Sequence, residues 1–154
     1  MTPIDKQALF LLYDAPDNTA QVQVVVKDET IWMTQKAMAE LYGIDKSGIS
    51  RHVANIFATG ELSQDMTVAK IATVVNRGIR GEVTEEIDFY NLDMIISVGY
   101  RVNSTRATRF RQWATKILNE KAEAEYDIYN RTQPIESDFD REIKKMIKQE
   151  GSSL

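Results

Sequence analysis

Residues Gln35 to Asn55 are the stretch of this chain whose types and spacing suit a defined chemistry, the reading of base edges and phosphates on duplex DNA. The run Gln-Lys-Ala-Met-Ala-Glu-Leu-Tyr-Gly-Ile-Asp-Lys-Ser-Gly-Ile-Ser-Arg-His-Val-Ala-Asn carries the spacing of a helix-turn-helix. Ala39 stands where the first helix must approach the second. Gly43 falls at the turn, where the backbone commonly needs a positive φ that only glycine adopts cheaply. Ile44 plugs the gap between the helices, and Ile49, Val53 and Ile56 recur at helical spacing as one buried stripe. The opposite face presents Ser47, Ser50, Arg51, Ala54 and Asn55, short or hydrogen-bonding side chains suited to base edges and phosphates. Lys46 lies near the helix start, where its charge can meet a phosphate. His52 flanks the stripe and reads as half-buried packing. Two short amphipathic helices joined by a glycine turn would give part of this pattern. Ala39, Gly43, Ile49 and the Ser/Arg/Asn face falling in one short window favour the DNA reading.

The next segment, Thr67 to Tyr90, has two β-branched arms around a tip containing Gly78 and Gly81, the composition of a hairpin. A hairpin directly after a helix-turn-helix is the arrangement of a winged helix, and Arg77 and Arg80 sit at the tip, placed to anchor the DNA backbone. Glu82, Glu85 and Glu86 stand close by, as they would in an ordinary solvated hairpin loop.

The elements that must position these residues follow from periodicity. Ala8 to Tyr13 and Gln21 to Lys27 are β-rich runs separated by Asp14-Ala15-Pro16-Asp17-Asn18, so a hairpin opens the protein. Thr30 to Met33 adds a short strand, and Thr34 caps the first helix of the motif. After the wing, Asn91 caps a helix through about Gly99 with Met94, Ile95 and Val98 as its core face. Ser104 is expected to cap a longer helix with a wide stripe of Phe110, Trp113, Ala114, Ile117 and Leu118. Trp113 reads as core and not as a cofactor contact. Beyond Glu120 the chain turns acidic, Asn130 to Pro134 breaks the helix, and Ser137 starts another with a narrow stripe of Phe139, Ile143, Met146 and Ile147. A short helix gains little alone and must pack on its own body or a partner's, which predicts a homodimer contact there or a protein partner held by the C-terminal helices.

A chain of 154 residues with 43% apolar content can bury one modest core. The sequence divides into an N-terminal domain over 1–119 and a helical extension over 120–154. It contains no cysteine, and no apolar run is long enough to span a bilayer or act as a signal peptide, so a reducing cytoplasm is expected. Net charge is −4, against the usual cationic requirement for phosphate contact. Distribution matters more: Arg101 to Lys116 holds Arg101, Arg106, Arg109, Arg111 and Lys116 with no acid among them, while acids gather toward the ends. Arg106 and Arg109 therefore join the candidate DNA face. With one histidine and no cysteine, thiol nucleophiles and multi-histidine metal sites are excluded, and no phosphate-cradling glycine motif is present. Glu85, Glu86 and Asp88 lie on a strand whose side chains alternate between faces, which suits solvated carboxylates better than a Mg²⁺ site. No enzyme, metal or cofactor is expected.

The stretches Phe89-Tyr90-Asn91-Leu92-Asp93-Met94-Ile95-Ile96-Ser97-Val98-Gly99-Tyr100-Arg101-Val102 and Phe110-Arg111-Gln112-Trp113-Ala114-Thr115 resemble the bacterial RhuM family of virulence-associated proteins. Thr30 to Gln35, Met38 to Leu41, and Asn55-Ile56-Phe57 to Gly60-Glu61-Leu62 match its N-terminal part, so the resemblance covers about Ala8 to Leu118. It implies a DNA-binding protein, since members are described so, some encoded beside restriction-modification or other mobile-element genes. The order of elements is also similar to the N-terminal domains of phage antirepressors and Bro proteins. Longer members carry a further middle region, whereas this chain passes almost directly to Ala122 to Lys145, which resembles the family's C-terminal end around Glu136 to Asp140. It looks like a short form.

The expectation is thus an α+β fold, a winged-helix-like helix-turn-helix domain with β-hairpins and a C-terminal helical extension. Its function would be transcriptional regulation through major-groove reading of double-stranded DNA. Arg51 and Asn55 would read bases, Ser47 and Ser50 would contact bases or phosphate, and Lys46, Arg77 and Arg80 would anchor the backbone. The alternative is a protein-interaction module, an antirepressor or antitoxin-like adaptor that keeps the fold as scaffold and offers its acidic termini to a basic partner.

Overall fold

The computed structural model describes residues 2–3, 8–15 and 21–132. The expected helix from Ser137, with Phe139, Ile143, Met146 and Ile147, lies outside the described residues, as does the turn over 16–18. By its internal contacts the chain divides into two compact units, Met1–Leu118 and Asn119–Leu154.

The first unit is an antiparallel sheet with helices on one face. Its strands are β1 (Thr2–Pro3), β2 (Leu9–Asp14), β3 (Gln21–Lys27), β4 (Thr30–Met33), β5 (Val68–Asn76) and β6 (Glu82–Asn91), in the order β1-β5-β6-β4-β3-β2. The opening hairpin forms as its alternation suggests, with Leu9 opposite Val26 and Asp14 opposite Gln21. A two-residue turn joins β3 to β4, with Asp28 at φ 52° and Glu29 at φ 62°, the backbone that matches the twist of a tight hairpin. Besides β1 on β5, with Thr2 opposite Val74, the long-range pairing is β4 with β6, Met33 opposite Tyr90 and Trp32 opposite Asn91. It joins the two hairpins into one sheet.

Between β4 and β5 lie α1 (Gln35–Tyr42), α2 (Lys46–Ala58) and the single turn α3 (Gln64–Thr67); periodicity did not predict α3. Thr34 caps α1, its Oγ1 accepting from the Ala37 N–H at 3.1 Å. Gly43 ends α1 at φ 70°, and the Ala39 carbonyl accepts from the N–H groups of both Gly43 and Ile44. Ile49, Val53 and Ile56 are buried, as their spacing requires, together with Met38, Leu41 and Tyr42 of α1. Ala39 itself is only half-buried.

After β6 come α4 (Leu92–Val102) and α5 (Ser104–Thr132). Asn91 caps α4, its Oδ1 accepting from the Met94 N–H at 3.2 Å. The helix runs three residues past the expected end because Gly99 sits inside it, as a gap in the packing and not as a stop. Ser104 is the first helical residue of α5 and not its cap. Asn103 precedes it with non-helical backbone, and its Oδ1 accepts from the Arg106 N–H at 3.2 Å.

Two apolar layers hold the sheet. One face packs Val22, Val24, Val26, Ile31 and Met33 against α1, α2, α4 and the start of α5, where Ala107, Phe110 and Ala114 are buried. Tyr13 meets Phe110 edge-on at 5.0 Å and Trp113 at 4.9 Å. Trp113 is therefore core, as expected. The other face carries a smaller cluster of Val25, Trp32, Ile71 and Phe89.

The tightest joint lies between α1, α4 and α5. The Tyr42 hydroxyl donates to the Ile95 carbonyl at 2.6 Å, and burial pushes this phenol well above its usual range, with Tyr13 and Tyr100 adding to the effect. The space exists because residue 99 has no side chain. A Cβ there would stand 2.4 Å from the Tyr42 hydroxyl and 2.5 Å from the Ala107 Cβ, and neither can retreat without moving a helix. Gly99→Ala is expected to cost about 1–3 kcal/mol of stability by overpacking, measured as a lower urea midpoint at unchanged slope. A midpoint equal to wild type would contradict so close a joint.

Candidate functional site

The buried stripe of α2 fixes what its other side shows. With Ile49, Val53 and Ile56 turned inward, Lys46, Ser47, Ser50, Arg51, Ala54 and Asn55 are all exposed. They form one polar face with no large apolar side chain. His52 is half-buried at its flank, and its Nδ1 is buried with no hydrogen-bond partner among the described residues.

The near end of this face borders a cleft of about 900 Å³. Lys46 and Ser50 of α2 line one wall, and Asn76 and Arg77 at the outer end of β5 line another. The floor comes from Gln21 and Gln23 of β3 and from Thr34, Gln35 and Tyr90. Start of α2, start of α1 and the β5–β6 arm thus share one concavity. Gln35 ties them together, because its Nε2 donates to the Tyr90 hydroxyl at 2.8 Å and its Oε1 accepts from the Ser50 hydroxyl at 2.5 Å.

The β5–β6 arm is long, and β1 pairs along its outer edge at Thr73 and Val74. Its pairs run from Val68 opposite Tyr90 out to Asn76 opposite Glu82, and the ten residues of β6 span roughly 30 Å. A single 3₁₀ turn, Gly78–Arg80, closes the tip. Gly78 at φ 65° and Gly81 at φ 73° supply the left-handed backbone that lets so short a turn close. Two backbone bonds complete it, the Arg77 N–H donating to the Gly81 carbonyl and the Gly81 N–H to the Gly78 carbonyl, each at 2.9 Å.

Electrostatics divide the expected cations into distinct groups. Arg77 makes a two-pronged contact with Glu85, Nε to Oε1 at 2.9 Å and Nη2 to Oε2. Those hydrogen bonds hold the Glu85 carboxyl below the usual carboxylate range, with the charges of Arg77 and Arg80 adding to them. Arg80 is exposed at the tip. On one face of the arm Asp88 lies opposite Lys70, Glu86 opposite Ala72 and Glu82 opposite Asn76, so carboxylates outnumber cations along its length. Asp45 precedes α2. The Ser47 hydroxyl donates to its carboxylate and holds it below the usual range, with nearby backbone amides and Arg51 acting in the same direction.

Of the expected basic cluster, Arg109 is exposed, whereas Arg106 turns inward. Its Nη1 donates to the Leu41 carbonyl at 2.9 Å, a cation placed on the negative end of α1. Arg101 pairs with Glu61 at 2.8 Å. Gln35, Asp45 and Tyr90 were missed by sequence reasoning. Gln35 and Ser50 meet across fifteen positions and Gln35 and Tyr90 across fifty-five, separations for which local spacing gives no signal.

A family model described as the virulence protein RhuM family matches residues 66–149, more than half of the chain. The chain belongs to that family. The match takes in α4 and the Phe110 to Thr115 stretch, while α1 and α2 lie before it. No curated protein and no solved structure matches. Among the described residues no helix is long and apolar enough to cross a membrane.

Arg106→Ala should lower stability by about 1–2 kcal/mol, because it strips a charge-assisted bond from the end of α1. Urea unfolding checks this. An unchanged midpoint would mean that Arg106 does not hold the helix end.

Proposed function

We propose that this chain binds duplex DNA, with α1, the Gly43 turn and α2 as a helix-turn-helix and the β5–β6 arm as its wing. The observation that carries the reading is the exposed face of α2. A helix docked by one apolar stripe, with Lys46, Ser47, Ser50, Arg51, Ala54 and Asn55 turned to solvent, has the profile a major groove admits. Arg51 and Asn55 sit centrally on that face and are assigned to base edges. Lys46, Ser47 and Ser50 lie at its start and are assigned to phosphate or bases. Arg80 and Arg109 supply backbone contacts, and Arg77 joins them when phosphate displaces Glu85. Arg106 acts through the placement of α1. The role is regulation of transcription, and a homodimer would present two such helices to a palindromic site.

A second reading, a protein-interaction module for a basic partner, is favoured by the carboxylates. Glu85 occupies Arg77, and Glu82, Glu86 and Asp88 line the arm, so a positive face from Arg51 to the tip is interrupted.

The test is fluorescence anisotropy against a random duplex pool titrated in salt, with bound DNA recovered and sequenced. Salt-sensitive binding with an enriched motif is expected. Against that motif Arg51→Ala should cost about 1–3 kcal/mol and relax preference at one base pair. Arg80→Ala should weaken all sequences alike and lower the salt slope by about 1. Absence of binding at low salt would move the function to the protein partner.

A further inference from the structure

The arm ends in a residue that the proposed phosphate contacts do not use. Ile79 is 107% exposed, the most exposed of the large apolar side chains described. It stands in the 3₁₀ turn between Gly78 and Arg80, and a Cβ built on Gly78 or Gly81 would meet nothing within 4 Å. The isoleucine therefore projects alone, with Arg77 before it and Arg80 after it. Among the described residues no packing contact requires an apolar side chain there. Full exposure carries a hydration cost that a polar residue would avoid.

The arm behind it is paired along its whole length and acidic on one face. Glu82, Glu86 and Asp88 keep its sides away from phosphate, whereas the tip combines a branched apolar side chain with the exposed guanidinium of Arg80, and Arg77 sits one glycine away with its guanidinium on Glu85. Small apolar wedges on such tips can enter between base steps from the minor groove, with neighbouring arginines neutralising the flanking phosphates. Resting on the DNA reading above, we infer that Ile79 is such a wedge. The tip inserts it at a deformable step beside the groove occupied by α2, and the duplex bends there.

Binding and bending separate in one experiment. Wild type and Ile79→Ala are titrated against a duplex carrying donor and acceptor dyes at its ends, with anisotropy giving affinity and energy transfer giving the bend. Because Ile79 touches no core residue, the variant should fold as wild type does, verified by its circular dichroism and urea midpoint. Wild type is expected to bend the duplex by an angle within roughly 20–90°. Ile79→Ala should keep salt-sensitive binding but lose most of the bend, and Ile79→Leu should restore it. Equal bends for wild type and Ile79→Ala, or binding by wild type without a bend, would overturn the wedge while leaving the DNA reading in place. No binding by either protein would overturn both.

Discussion

The joint at Tyr42, Ile95 and Gly99 is the constraint on which the placement of every proposed contact depends. A buried phenol must find a hydrogen-bond acceptor, and the one it finds is a helix carbonyl that becomes reachable only because residue 99 is glycine. That bond fixes the end of α1 against α4. Arg106 of α5 then closes over the same end through the Leu41 carbonyl. With α1 held at both its cap and its terminus, the short Gly43 turn leaves α2 little freedom, and its apolar stripe determines which side faces solvent. The sheet contributes the second half of the geometry. Pairing of β4 with β6 brings the arm beside α1, so that Lys46 and Arg77 border one cleft although they lie on separate elements.

Charge acts locally in this molecule. The sum of −4 conceals a polar α2 face carrying Lys46 and Arg51, an acidic arm and a mixed tip. The Arg77–Glu85 pair is exposed and contributes little to stability. Its consequence is for ligands, because an incoming phosphate must compete with a carboxylate already seated on the guanidinium. The arm thus offers an anion few places to approach, and those lie at its end.

Local features of the fold were legible in the sequence and non-local ones were not. Thr34 and Asn91 act as caps because a capping oxygen needs only the N–H groups a few positions on. Gly43 marks its turn because few other residues tolerate that φ. The stripes of α2 and α4 follow from helical period, and both hairpins from alternation and turn composition. By contrast, Gly99 read as a helix end because sequence spacing cannot tell a glycine that stops a helix from one that admits a neighbour. Arg106 read as a surface cation, since its partner is a backbone carbonyl with no sequence signature. Arg77 carried the same ambiguity, because its partner Glu85 stands opposite Thr73 in the hairpin and is met only by the long side chain reaching back along the arm. Membership of the RhuM family was legible too, from the residues around α4 and the start of α5.

Whether the exposed face of α2 and the tip of the arm engage one duplex together is decided by amide chemical-shift mapping of the full chain during titration with DNA. Shifts are expected to concentrate between Asp45 and Ala58 and between Arg77 and Gly81, appearing at the same protein-to-DNA ratio. Shifts confined to the other face of the sheet, around Val25 and Trp32, or no shifts at low salt, would contradict that joint engagement.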